Sequence, residues 1–260
     1  MGASKNKKQR FLLAHPNCYF CGGIATTIDH VPSRQCFKDG IGPESYEFPA
    51  CARCNNAAGR MEQVVALYMH LSNHEQSSLS SDQLNKLVSG VINNDADLLP
   101  NTNLGTNKKR KLARAWGYVP PEGETYADAP IAELPKENRR AFELFERRLT
   151  CAFYYKHAGK ILPNGHVIRT EHIAYMHPNA EELFEGIVPM LTNTERPSRQ
   201  NQSIGDQLIY GWRYDNTEDF FLMLAQFGKS FFIIGTAAIP NSETDDESYR
   251  LHSDDLVPSV

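Results

Sequence analysis

Two short stretches decide the fold of the N-terminal region: residues 18–23 read CYFCGG, and residues 51–56 read CARCNN. Each stretch places two cysteines two residues apart: Cys18 with Cys21, and Cys51 with Cys54. Two such pairs provide the four thiolates that a tetrahedral Zn²⁺ prefers, so we expect a structural zinc ion. The alternative is two redox or disulfide pairs. It is disfavoured because the sequence shows neither an export signal nor a thioredoxin-like strand–helix context.

Residues 25–33 between the two pairs read ATTIDHVPS, which is rich in β-branched residues and predicts a strand that ends at Pro32. Asp29 and His30 are adjacent in this strand, so their side chains should point to opposite faces. Asn55 follows Cys54 directly, at the predicted start of a helix that runs to residue 72. A helix N-terminus favours an anion, and Asn55 adds an amide oxygen there.

This order of elements, C-x-x-C, Asp-His-Val-Pro and C-x-x-C-Asn, resembles the zinc-knuckle branch of the HNH nucleases, also called His-Me finger or ββα-metal nucleases. The resemblance covers roughly residues 15–75. It implies a ββα-metal module with four zinc-binding cysteines. It also implies Asp29 and Asn55 as ligands of a catalytic Mg²⁺ or Mn²⁺, and His30 as general base. Residues 31–50 contain no Asn, so the middle Asn of many members would be replaced by Ser45, Tyr46, Glu47 or a backbone carbonyl.

The chemistry suits these residue types, because imidazole titrates near neutral pH and a divalent ion can polarise a phosphate oxygen. The sequence therefore predicts a DNA endonuclease. Two rivals stay open: a non-catalytic zinc module that binds nucleic acid, and an interaction protein in which zinc only joins the two halves. For Asp29 and His30 themselves, the alternative is an Asp-His pair that only caps a zinc-stabilised turn.

Basic residues near these motifs are candidates for phosphate contacts, with a solvated surface as the alternative. They are Arg34, Arg53, Arg60 and the run Lys108, Lys109, Arg110 and Lys111. Lys and Arg outnumber Asp and Glu in residues 1–117 (14 to 9), and the reverse holds in residues 118–260 (13 to 22). This asymmetry favours a polyanionic partner, such as double-stranded DNA, for the front half only.

Three further side chains in or just after the predicted helix are assigned less specific roles. Glu62 lies two turns from Asn55, either as an accessory metal ligand or as an exposed residue. His70 and His74 have the i, i+4 spacing of metal ligands. Without an H-E-x-x-H motif, we expect both histidines at the surface.

The 260 residues are 41% hydrophobic, which is enough for a full core, and no apolar stretch approaches the roughly 20 residues of a membrane span. We expect an α+β protein in a reducing, cytoplasmic setting.

The predicted parts of the protein are a nuclease module with following helices at 1–117, a linker at 118–135 and a C-terminal α+β domain at 136–260. That last domain should contain a long helix and an antiparallel meander, and could bind a regulator. Double-strand cutting would favour a homodimer, whereas nicking would not.

Overall fold

The computed structural model describes residues 2–72, 79–115, 117–129, 131–175, 177, 180–200 and 202–240, without the side chains of 2–5 and 202–203. The α-helices are α1 (Gly2–Ala14), α2 (Ala52–Ser72), α3 (Ser81–Asp95), α4 (Thr106–Ala115), α5 (Asn138–Ala158) and α6 (Ala180–Ile187). The strands are β1 (Thr27–His30), β2 (Glu47–Ala50), β3 (Val167–Ala174), β4 (Asn193–Glu195), β5 (Ser198–Arg199), β6 (Gln202–Ser203), β7 (Ile209–Asp215), β8 (Phe220–Phe227) and β9 (Phe231–Ala238). The fold is mixed α+β, as the sequence predicts. In the described ranges, no helix combines the length and the apolar character needed to cross a bilayer.

The N-terminal strands β1 and β2 form an antiparallel pair, and α2 follows β2 after a single residue. In this pair Asp29 lies opposite Phe48, and His30 lies opposite Glu47. Strand, strand and helix therefore follow one another in the order that the resemblance implies. The helix begins at Ala52, three residues before the predicted start at Asn55.

Five of the C-terminal strands form one antiparallel sheet in the order β3-β9-β8-β7-β4, and β5 pairs with β6 separately. Strands β7, β8 and β9 are the predicted meander, joined by short turns, and β3 adds to its edge along β9. Helix α5 packs on this sheet and on α2, so it lies between the ββα unit and the sheet. Gly159 ends α5 in the left-handed conformation (φ 70°), which glycine adopts without a steric cost.

The larger of two buried clusters contains residues from both predicted domains; the smaller one lies between α6 and the sheet. The larger cluster extends from Cys18 and Tyr19 through α2 and α5 to Phe221 and Ile233 in the sheet. The division into two domains joined by a linker at 118–135 stays a prediction. This segment folds back on α4, where Glu133 pairs with Lys108 at 2.6 Å.

The predicted surface position of His70 differs from the structure. His70 is buried rather than exposed, because its Nε2 bonds the carbonyl oxygen of Gln35 at 3.0 Å. His74 lies outside the described residues. Ser80 caps α3 through a reciprocal capping box with Gln83.

Candidate metal centre and active-site surface

The four cysteines of the two C-x-x-C pairs converge on one point. Their Sγ atoms all lie within 4.8 Å of one another, and Cys21 Sγ is 3.7 Å from Cys51 Sγ. Four sulfurs about 2.3 Å from a tetrahedral zinc ion would be roughly 3.8 Å apart, so the cluster fits zinc. All four thiols are free in this structure, and 3.7 Å is too long for a disulfide bond.

Local backbone geometry builds the first cysteine pair. Gly22 takes a positive φ of 73°, which lets the chain turn back so that the Cys18 N–H donates to the Gly23 carbonyl oxygen. A hydrogen bond with Cys54 holds the pKa of the Cys18 thiol down at about 5, and the same contact raises the pKa of Cys54. A thiol that readily becomes a thiolate suits metal binding.

The adjacent residues Asp29 and His30 have different surroundings, as the strand alternation predicts. The Asp29 side chain is buried and accepts a hydrogen bond from the Tyr19 hydroxyl at 3.0 Å. The His30 side chain is half-exposed, with Nε2 2.7 Å from Arg34 Nη2 and 3.4 Å from Glu47 Oε1. Strand β1 thus carries one side chain into the core and the next to the surface.

The contact with Arg34 favours the neutral form of His30. A guanidinium can only donate hydrogen bonds, so in this contact His30 Nε2 is the acceptor. Partial burial lowers the pKa of His30 below 6.5, and the Arg34 charge lowers it further, although Glu47 opposes this shift. His30 is therefore ready to accept a proton at neutral pH.

A buried ion-pair network surrounds Asp29. The guanidinium of Arg148, from the middle of α5, contacts Asp29 Oδ2 and lies 3.2 Å from Glu62 Oε1. Its Nη1 donates to the Cys54 carbonyl oxygen at 2.9 Å. The Arg148 and Asp29 side chains are 1% and 5% exposed. Glu62 is buried too, and desolvation raises its pKa to about 7 despite the arginine. The exposed alternative for Glu62 is therefore wrong.

Asn55 contacts a different part of β1. Its Nδ2 lies 3.2 Å from Thr27 Oγ1 and 3.5 Å from the Ile28 carbonyl oxygen. Among the described hydrogen bonds, none joins Asn55 to Asp29. A Mg²⁺ or Mn²⁺ ion needs open water positions around its ligands, and the buried, arginine-paired Asp29 offers none in this conformation. These contacts do not fit a divalent ion, and the two assignments as ligands stay predictions.

The predicted phosphate-binding residues lie on three separate elements of the chain. Arg34 lies beside His30, and Arg53 and Arg60 are exposed two turns apart on α2. In α4, Lys108 pairs with Glu133, and Lys109 donates to the Ala127 carbonyl oxygen. Their positive charges are thus partly used to hold the following loop. Arg110 and Lys111 on the same helix are exposed, and Arg110 also contacts Asn107.

A second polar cluster, which the sequence does not reveal, joins the ββα unit to the sheet. The carboxylate of Glu195 accepts hydrogen bonds from Tyr46 and Tyr210 at 2.7 and 2.6 Å, and pairs with Lys156 at 2.5 Å. His157 Nε2 is 2.9 Å from the Tyr210 hydroxyl. Burial lowers the pKa of His157 to about 4, with help from the Lys156 charge. Because its charged and hydroxyl groups bond to one another, the cluster is best explained as structural.

No family model, curated protein or solved structure matches this chain. The function has to be inferred from the residues and their geometry.

Proposed function

We propose that this protein hydrolyses phosphodiester bonds in nucleic acid, with double-stranded DNA as the substrate, and that His30 is its general base. The observation that supports this is the His30 side chain itself. It is neutral, half-exposed and hydrogen-bonded to a guanidinium through the nitrogen that would take the proton.

The residues around His30 suit a phosphate substrate. Arg34 is exposed and can move from His30 Nε2 to a phosphate oxygen, which would free the nitrogen to accept a proton from the attacking water. Glu47 Oε1, at 3.4 Å, would then stabilise the imidazolium. Glu47 thus takes a position from which it can support the base, as one of the predicted replacements for the missing Asn.

The proposal treats the structural zinc ion and the catalytic divalent ion differently. Zinc on the four cysteines would link the turn at residues 18–23 to the first turn of α2 and would have a structural role. A requirement for Mg²⁺ or Mn²⁺ follows from the HNH resemblance alone. Because the contacts of Asp29 and Asn55 do not fit such an ion, we derive no catalytic step through it.

One observation favours a second candidate, a zinc-stabilised module that binds nucleic acid without cleaving it. The ion pair between Asp29 and Arg148 removes a predicted metal ligand, but leaves Arg34, Arg53 and Arg60 at the surface. Such a module would need the basic residues and the cysteines, and would not need His30.

The test incubates the zinc-loaded protein with supercoiled plasmid in Mg²⁺, in Mn²⁺ and in EDTA. Cleavage should fall by about 10²–10⁴-fold in His30→Ala, because the general base is lost. The matched control is His172→Ala, the same change at a partly exposed histidine of β3. Zinc content is measured in every sample, so that an effect of EDTA on the zinc site is recognised.

The pH profile gives an independent check. The pKa of His30 lies below 6.5, so its neutral form persists to lower pH than that of an ordinary imidazole. The cleavage rate should therefore decrease at low pH with a midpoint below 6.5. Equal cleavage by wild type and His30→Ala would refute the assignment of the base. A salt-sensitive gel shift without cleavage in any metal would favour the binding module instead.

A further inference from the structure

The Arg148 guanidinium is enclosed by oxygen atoms that resemble the ligands of a hard metal ion. Asp29 Oδ2, Glu62 Oε1 and the Cys54 carbonyl oxygen each contact a different nitrogen of this group. Carboxylate and carbonyl oxygens are also the usual ligands of Mg²⁺, Mn²⁺ and Ca²⁺. The place beside Asp29 that the HNH resemblance assigns to a divalent ion is thus next to a cation that belongs to the chain.

We propose that the Arg148 guanidinium replaces the divalent ion at Asp29, so that arginine and metal are alternative occupants of one oxygen-lined site. In the folded wild type the arginine holds this site. The zinc cluster is then the only metal site of the β1–β2–α2 unit. Arg148 would fill this role whether or not His30 catalyses hydrolysis.

Charge and burial support this assignment. Asp29 and Glu62 are 5% and 6% exposed, so two carboxylates are removed from water close to each other. Buried charges of like sign need a compensating cation, and Arg148 is the cation they contact. A divalent ion bound to the same oxygen of Asp29 would face a fixed positive charge, which an arginine cannot lose by deprotonation.

The shape of the arginine explains why this residue suits the site. Its planar fork presents Nε, Nη1 and Nη2 to three acceptors at once, whereas a lysine ammonium is a single point donor. The guanidinium also lies over the rings of Tyr19 and Phe20, with Cζ 5.9 and 5.6 Å from the ring centroids. Arg148 therefore acts as a positioning residue that fixes the inward side of β1, the strand that carries His30 outward.

The test titrates Mn²⁺ into zinc-loaded, full-length protein and follows free Mn²⁺ by electron paramagnetic resonance. Wild type and Asp29→Asn should give the same isotherm up to about 1 mM, the range of weak oxygen-ligand sites. Arg148→Met should gain one Mn²⁺ site per chain, at least about tenfold tighter than any site in wild type. The double variant Arg148→Met/Asp29→Asn should lose this gain. Arg147→Met, the same change one residue earlier in α5, should behave as wild type.

Wild-type Mn²⁺ binding that disappears in Asp29→Asn would overturn the inference, because Asp29 would then bind metal in the presence of Arg148. A folded Arg148→Met without a gain would overturn it too. Loss of the guanidinium leaves two buried carboxylates and can unfold the protein, so the thermal midpoint of Arg148→Met is also measured with and without Mn²⁺. A rise in the thermal midpoint of Arg148→Met with Mn²⁺, which Arg147→Met does not show, supports the exchange of arginine for metal. An Arg148→Met protein that stays unfolded in Mn²⁺ refutes it.

Discussion

His157 should make the stability of the protein depend on pH between about 4 and 6.5. Its side chain is 9% exposed, stacks on Trp212 with 3.9 Å between ring centroids, and contacts the Tyr210 hydroxyl. Burial and the neighbouring Lys156 lower its pKa to about 4, while Glu195 at 3.9 Å opposes the shift. The folded protein therefore keeps this ring neutral where the unfolded chain protonates it.

The sign and size follow from proton linkage. Below pH 6.5 the unfolded state binds a proton that the folded state takes up only near pH 4, so acidification favours unfolding across this window. A separation of about 2.5 pKa units corresponds to roughly 3 kcal/mol in full. About 2 kcal/mol of this should be lost by pH 5.

Glu62 makes a comparison between variants necessary. Its pKa is raised to about 7, so the folded state binds a proton more readily than the unfolded state between about 4.5 and 7. This group therefore stabilises the fold on acidification, with the opposite sign to His157. The useful quantity is the difference in unfolding free energy between wild type and His157→Gln, because Glu62 contributes to both proteins.

The assay is urea unfolding of both proteins at pH 7.5 and at pH 5, followed by circular dichroism. The advantage of wild type over His157→Gln should shrink by about 2 kcal/mol at the lower pH. A difference that stays constant between the two pH values would show that His157 titrates normally in the folded protein, and would refute the reasoning.

Two further changes test the zinc cluster and the packing of α5 on the sheet. Cys51→Ser should remove zinc and unfold the β1–β2–α2 region, because zinc binding contributes about 10–16 kcal/mol in zinc-finger peptides, as much as a whole domain's stability. Zinc analysis with circular dichroism measures this, and a zinc-free variant with native ellipticity would contradict it. Gly235→Ala places a methyl group 2.2 Å from Thr150 Oγ1 and 3.0 Å from Met223 Cε, and should cost about 1–3 kcal/mol in urea unfolding. Adding Thr150→Ala should recover most of the loss, and an unchanged loss in the double variant would place the strain elsewhere.

The features that could be predicted from sequence are those set by local spacing. The two C-x-x-C pairs converge as expected, since each needs only a turn of the backbone. The alternation of a strand separates Asp29 from His30, and short turns between apolar strands predict the meander of β7, β8 and β9.

The features that could not be predicted depend on partners far away in the chain. Arg148 lies 119 residues from Asp29 and 86 from Glu62, on a helix with no motif of its own. Helix α5 is buried against both α2 and the sheet, and this places a charge where the spacing of apolar residues predicts only core. His70 is buried for the same reason, because its acceptor, the Gln35 carbonyl, comes from a short 3-10 helix between β1 and β2.

The distance in sequence between Asp29 and its arginine has a consequence for biosynthesis. The ribosome adds about 5–20 residues per second, so α5 is made roughly 10 s after β1. During this interval Asp29 and Glu62 have no arginine to neutralise them, and the nascent N-terminal segment must keep both carboxylates hydrated. A zinc ion on the four cysteines would be a cross-link that this segment can form by itself, since all four lie before residue 55. We therefore expect the nascent chain to bind zinc first. Its hydrophobic core should form only after α5 has left the ribosome.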